Sequence, residues 1–315
     1  MPIGINFLIL IASLIVLAKS ASLVVNNLIK TANILRLSTF IVSFVILGVA
    51  TSTPEIFVGI NSILENSPQL SFGNLIGATI VLLSLISGLT ALITGKVIVD
   101  ATFTKKDLFI MNLIILMPIL LLYDGKLTKI DSLTILTTYL IYVVRMYQER
   151  HKLAHPITHQ NHNNLLFKYL LLIALGFTGL FISSHYAVHS AVSIAKTLKI
   201  PVLLLGILLF SIGTNFPELS IAFSAIKKKQ KTIVLGNVMG SATTNSLIIA
   251  TISFLKPFEI QDLNTFVVSV FFLATSVTSF SLFVKSKNEI SRLEGLFLLS
   301  IYSFFFIFEI LSKIP

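Results

Sequence analysis

The stretch Ala50-Thr51-Ser52-Thr53-Pro54-Glu55 returns 163 residues later as Gly213-Thr214-Asn215-Phe216-Pro217-Glu218. A second short pattern, Gly73-Asn74-x-x-Gly77, returns at the same offset as Gly236-Asn237-x-x-Gly240. One gapless offset through two separate motifs is hard to reach by chance, and it marks an internal repeat. Both copies of the first motif lie in apolar runs long enough to cross a bilayer. Each puts a proline and a glutamate where a membrane helix tolerates neither cheaply. An ionisable group at that depth costs at least ~2.5 kcal/mol even on the mildest scales, so it marks a functional site by default.

Composition supports the membrane setting. Of 315 residues, 55% are hydrophobic and 11% charged, with a mean hydropathy of +0.95; soluble domains carry about 25% charged residues. Cysteine is absent, which excludes disulfides, thiolate metal sites and thiol catalysis. The N-terminus lacks the basic segment of a signal peptide, so its apolar run is read as a retained first span. No hydrolase constellation or phosphate-binding glycine loop is present, which argues against an enzyme and against ATP-driven pumping. No cofactor is expected, and transport draws on an ion gradient. The net charge of +10 needs no nucleic-acid partner, because no stretch interleaves basic and aromatic residues on a soluble surface. Inorganic cations and membrane lipids are the expected partners, with no obligate protein partner evident.

The expected fold is an all-α membrane protein of ten spans, near 5–28, 38–64, 71–95, 107–123, 131–148, 166–194, 202–226, 233–255, 263–285 and 292–312, each close to the ~20 residues a bilayer requires. Alternate connections test this count. One set holds Lys30, Arg36, Lys96, Lys105, Lys106, Arg145, Arg150, Lys152, Lys168, Lys227, Lys228, Lys229, Lys231, Lys285, Lys287 and Arg292; the other holds only Lys126, Lys129, Lys196, Lys199, Lys256 and Lys313. That asymmetry puts both termini outside the cell (plasma) membrane by the positive-inside rule. Residues 1–150 and 166–315 then form two five-helix repeats, joined by a cytoplasmic linker over 151–165. An odd number of spans per repeat makes the second enter the membrane in the opposite sense, an inverted pair.

The second and seventh spans are expected to be broken at their prolines, which remove a backbone donor. The loose carbonyls around Gly48–Ala50 and Ser211–Gly213 are expected to point into a central cavity. Glu55 and Glu218 then begin the next half-helix, where the macrodipole favours a carboxylate. Of the thirteen acidic residues, these two are read as the only ones placed deep within spans. The glycines spaced four apart in the third and eighth spans are read as small-residue packing faces. Further along the halves diverge, since Ser241 and Asn245 align with Ala78 and Leu82.

These residues resemble the alpha repeats of the cation/Ca2+ exchanger superfamily, whose pattern is Gly-Thr-Ser-x-Pro-Glu followed by Gly-Asn-x-x-Gly-Ser-Asn. Thr51-Ser52-x-Pro54-Glu55 and Thr214-Asn215-x-Pro217-Glu218 match the first part. Gly73-Asn74-x-x-Gly77 and Gly236-Asn237-x-x-Gly240-Ser241 match the second. The resemblance covers essentially the whole chain. It implies a secondary antiporter exchanging Ca2+, or a related cation, for Na+ by alternating access. Glu55 and Glu218 would be the main ligands, with Thr51, Ser52, Thr214, Asn215, Ser241, Asn245 and the carbonyls near Gly48 and Ser211 completing the sites. The chain departs from the pattern at Ala78-Thr79, Leu82, Asn215 and Asn245, which leaves cation selectivity open. A cation/H+ antiporter and a cation-binding homologue that does not transport stand as alternatives.

Other polar residues have simpler readings. Lys19, midway along the first span, is expected to snorkel to an interface. His185 and His189 lie four apart on the sixth span and are read as packing, because two ligands on one helix do not make a metal site. His151, His155, His159 and His162 are read as solvated linker, and Lys227–Lys231 as a cytoplasmic anchor touching anionic lipid.

Overall fold

The computed structural model describes residues 3–34, 47–98, 104–150, 163–227, 231–260 and 264–311. The linker histidines, the middle of the Lys227–Lys231 tract and the start of the expected second span lie outside them.

Nearly all of the described chain is helical. Helix α1 spans Ile3–Ile34, α2 Leu47–Thr51 and α3 Thr53–Leu64; α4 (Pro68–Ile80) runs through a π-helical segment, Val81–Ile86, into α5 (Ser87–Thr94). After α6 (Lys105–Leu121) and α7 (Lys129–Arg150), the second half opens with α8 (Asn163–Leu198). There α9 (Val202–Leu205) passes through a second π-helical segment, Gly206–Phe210, to α10 (Ser211–Thr214) and α11 (Phe216–Lys227). Helices α12 (Lys231–Leu255), α13 (Asn264–Lys287) and α14 (Arg292–Leu311) complete the chain.

Among the described residues, 8 helices are long and apolar enough to cross a membrane. Helix α7, over the expected fifth span, is not one of them; it carries Lys129, Asp131, Arg145, Glu149 and Arg150. Its hydroxyls are nonetheless satisfied within the helix, with Thr134, Thr137 and Thr138 each donating to the carbonyl four residues back, as membrane helices require. Burial separates centre from periphery. The apolar windows of Pro68–Thr94 and Val234–Leu255 are each 78% buried inside the protein, whereas that of Leu165–Leu198 is 17% buried. The span containing α4 and α5 and the helix α12 are therefore the core, and α8 faces outward.

Two helices exceed their expected limits. Helix α1 has 32 residues and α8 has 36, against expectations of 5–28 and 166–194. They lie along each other through small residues. A side chain at Gly176 would meet Val24 at 2.5 Å, and one at Gly179 would meet Ser20 Oγ at 2.4 Å. Mutual support lets each helix continue past its apolar run.

The glycine face of α4 is backed by close backbone contacts. A Cβ on Gly73 would stand 2.4 Å from the Leu203 carbonyl oxygen, and one on Gly77 2.5 Å from that of Ile207; from the other side, one on Gly206 would stand 2.1 Å from Leu70 O. Helix α4 and the Val202–Phe210 segment thus touch backbone to backbone. Among the described residues nothing lies within 4 Å of a Cβ built on Gly236. At Gly240 the same face of α12 does meet backbone, since a Cβ on Gly48 of α2 would stand 3.6 Å from the Gly240 carbonyl carbon.

Two short antiparallel clasps join the halves. Strand β1 (Lys96–Ile98) pairs with β4 (Glu289–Ser291), and β2 (Lys126–Leu127) with β3 (Phe258–Glu259). Each carries a Lys–Glu ion pair, Lys96–Glu289 at 3.0 Å and Lys126–Glu259 at 3.2 Å. The offset of 163 carries Lys96 onto Glu259 and Lys126 onto Glu289, so the two clasps are repeat images with their charges exchanged. Helix starts follow the same offset: Thr128 and Asp131 cap α7 as Ser291 and Glu294 cap α14.

Candidate functional site

Both proline motifs sit at one-residue irregularities in otherwise helical chain. Ser52 (φ −80°, ψ 9°) separates α2 from α3, and Asn215 (φ −84°, ψ 6°) separates α10 from α11. Helical bonding carries across the first, with Ser52 N–H reaching Gly48 O at 3.3 Å and Ile56 N–H reaching Ser52 O at 3.1 Å. At the second, Leu219 N–H bonds Asn215 O at 3.1 Å.

The carbonyls expected to hang loose are instead engaged by side chains. Pro54 cannot donate to Ala50 O, and Thr53 Oγ1 takes up that oxygen at 2.8 Å. Gly48 O lies 3.3 Å from Thr51 Oγ1. Ser211 O accepts from Asn215 Nδ2 at 2.7 Å. Short polar side chains beside a proline can re-satisfy freed backbone groups, which is why the helix scarcely opens.

Glu55 and Glu218, at the starts of α3 and α11, are each 1% exposed. The Thr214 hydroxyl lies against the Glu55 carboxylate, and the Thr51 and Ser241 hydroxyls lie against that of Glu218. The carboxylates are close enough to repel one another. In both, Oε2 is buried without a hydrogen-bond partner. Ser52 Oγ, Asn74 Nδ2 and Asn215 Oδ1 are likewise buried and unpartnered.

The hydrogen bonds around this pair cross between the halves. Thr51 Oγ1 is 2.9 Å from Ser241 Oγ and 3.4 Å from Asn237 Oδ1. Thr214 Oγ1 donates to Asn74 Oδ1 at 3.2 Å. Asn245 Nδ2 donates to Thr79 Oγ1 at 3.1 Å. All ten sequence-selected residues, Gly48, Thr51, Ser52, Glu55, Ser211, Thr214, Asn215, Glu218, Ser241 and Asn245, are buried. Asn74 and Asn237 were missed as participants; they are the repeat-equivalent asparagines of the glycine motif, and that recurrence was the available signal.

Residues elsewhere divide differently. Lys19 is exposed. His185 and His189 are exposed rather than packed, with ring centroids 6.3 Å apart, and His189 Nδ1 pairs with Glu65 Oε1 at 3.0 Å. Leu82 lies in the π-helical segment after α4 and is buried. Glu55 and Glu218 are not the only carboxylates buried in helices. Asp107, 1% exposed, is held in the cap of α6 by Thr104. Glu309 is 0% exposed in α14 and accepts from Ser269 at 3.1 Å.

Among the described residues no third acidic, histidine or cysteine side chain joins the central pair to make a metal-binding group. Two adjacent buried carboxylates, each with an idle oxygen, are stable as anions only beside positive charge. Among the described residues no Lys or Arg acts on them. Hydroxyls, amide oxygens and carbonyls around them are the hard donors that Ca2+ and similar cations take. What the chain defines is therefore a polytopic helical membrane protein with a carboxylate pair at its centre, ringed by neutral oxygens.

The chain belongs to the sodium/calcium exchanger protein family, which matches residues 5–148 and 168–311, and so stands among transporters rather than enzymes. It is 24% identical to the sodium/calcium exchanger MaX1 of Methanosarcina acetivorans, covering 97% of this chain and 98% of that protein. It is 28% identical to the putative antiporter CaxA of Alkalimonas amylolytica over 75% of this chain and 76% of that one. Its fold is similar to the solved structure of the sodium-calcium exchanger NCX_Mj soaked with Na+ and without Ca2+, with a TM-score of 0.67 and 25% identity over 96% of this chain and 98% of that chain.

Proposed function

We propose that this protein is a secondary antiporter that exchanges Ca2+ for Na+ across the plasma membrane by alternating access. The observation that carries the reading is the pair Glu55 and Glu218, both buried and with Oε2 of each unpartnered. Two negative charges balance one divalent ion. Four carboxylate oxygens and the Thr51 and Thr214 hydroxyls beside them give about six ligands, the lower bound for Ca2+. Thr51, Ser52, Thr214, Ser241 and Asn245 complete the surroundings in this reading. The domain plan is two inverted five-helix repeats, 1–150 and 166–315, joined through 151–165, with both termini outside. The charge-exchanged clasps and the reciprocal threonine–asparagine bonds support it, because an internal twofold relation produces both. Breaks at the second and seventh spans would supply the hinge of that motion.

Radiolabelled Ca2+ uptake into vesicles preloaded with Na+ tests this reading. Uptake that collapses when K+ replaces internal Na+ supports it; uptake indifferent to Na+ defeats it. Exchange against protons is the second reading, favoured by the buried apolar Ala78 and Leu82, since a proton needs fewer ligands than a metal ion. Ca2+ flux driven by a pH gradient without Na+ would select it.

A further inference from the structure

We infer that the two repeat-related halves of the site bind monovalent cations unequally, because the Asn215 amide occupies one of them. The inference rests on the exchange reading above and concerns only where the coupling ion sits.

The offset of 163 pairs Gly48 with Ser211, Thr51 with Thr214, Ser52 with Asn215, Ser241 with Ala78 and Glu218 with Glu55. In the first half-site the Ser52 hydroxyl is buried and unpartnered. Gly48 O receives only long bonds of 3.3 Å, and the Ser241 and Thr51 hydroxyls lie 2.9 Å apart beside Glu218. Gly48 O, Thr51 Oγ1, Ser52 Oγ, Ser241 Oγ and the idle Glu218 Oε2 supply oxygen from several directions, a set that suits a small hard cation.

The second half-site has lost two of the corresponding oxygens. Ala78 offers no hydroxyl. Asn215 is one carbon longer than serine, and its Nδ2 reaches back to hold Ser211 O at 2.7 Å. The amide orientation follows from the partner, since turning it would bring two oxygens together. An amide N–H group is a tethered, partly positive donor, so it does toward this carbonyl what a bound cation would do. Thr214 Oγ1, Asn215 Oδ1 and Glu55 Oε2 remain, too few for a dehydrated ion. A monovalent cation therefore occupies the first half-site and not the second.

The test is equilibrium binding of radiolabelled Na+ to the purified full-length protein, paired with Na+-driven Ca2+ flux in liposomes. Asn215→Ser with Ala78→Ser restores both oxygens. The pair is expected to add about one Na+ per chain and to raise the Hill coefficient for Na+ by about one. Ser52→Ala and Ser241→Ala should each lower Na+ affinity about tenfold or more, while Glu65→Gln, away from the site, should not lower it. An unchanged Na+ count in the double variant overturns the inference, as does wild-type Na+ affinity in both Ser52→Ala and Ser241→Ala. Because binding is read without flux, a wild-type protein that binds Na+ but fails to exchange it defeats the transport reading alone.

Discussion

Thr214 donates its hydroxyl to Asn74 Oδ1 across the two halves of the chain, at 3.2 Å. The repeat-related pair, Thr51 and Asn237, approaches to 3.4 Å. Each threonine also lies against the carboxylate contributed by the other half, Thr214 against Glu55 and Thr51 against Glu218. The site is therefore laced together from both repeats, and neither half holds a complete copy.

Charge balance gives the first prediction. Glu55→Gln and Glu218→Gln keep the shape but leave a divalent ion with one carboxylate. Breaking a buried charge pair on one side typically costs ~3–5 kcal/mol, a fall of roughly two to four orders of magnitude in affinity. Titration calorimetry with Ca2+ should show that loss in both variants, and vesicle exchange should cease. Glu65→Gln, at the His189 contact just after α3, should exchange normally. Wild-type flux in either central variant would remove the claim.

Packing gives a second. Gly73→Ala would drive its methyl into Leu203 O, and overpacking of this kind typically costs about 1–3 kcal/mol. Gly236→Ala, at the repeat-equivalent position with nothing within 4 Å among the described residues, should be neutral or stabilising, because alanine is the better helix former by about 1 kcal/mol. Thermal unfolding in detergent separates the two, and equal effects would contradict the asymmetric contact.

The proline in the first motif gives a third. Thr53→Val removes the donor that satisfies Ala50 O, and an unsatisfied buried carbonyl costs about 1–3 kcal/mol. Thr53→Ser should restore stability. Phe216 stands at the equivalent position, so the second motif offers no hydroxyl there to lose. If Thr53→Val unfolds at the wild-type temperature, another group must be satisfying that oxygen.

The eighth span gives a fourth. Asn245 ties α12 to Thr79 on α4, while Thr79 also holds its own helix at Leu75 O. Asn245→Leu should weaken cation binding more than Thr79→Ala, and Leu82→Asn should change ion preference by adding an oxygen. Competition of Sr2+, Na+ and K+ against labelled Ca2+ measures all three. Negligible effects throughout would place the cavity elsewhere.

The carboxylate pair was legible because a buried charge is expensive and this one occurs twice at one offset. Spans were legible from apolar length, although α1 and α8 run past it by leaning on each other. Glu309 was not, since three residues from a helix end reads as interfacial until Ser269 is seen to cover it. The π-helical segments leave no trace in composition, because a shift in hydrogen-bond register changes no residue type. The clasps pair strands of two or three residues from connections far apart in the chain, and so short a strand has no detectable period.

The lacing of the site has a consequence for biosynthesis. The first half leaves the ribosome carrying Glu55 and Asn74, whose partners at Thr214 lie about 140 residues downstream. Contacts of such long sequence separation form late. Until the second half inserts, the membrane holds a glutamate without its neighbours, and protonation is the state that costs it least. The nascent half is therefore a natural client for whatever shelters polar membrane segments, and its carboxylate gains the Thr214 hydroxyl only when the second half inserts.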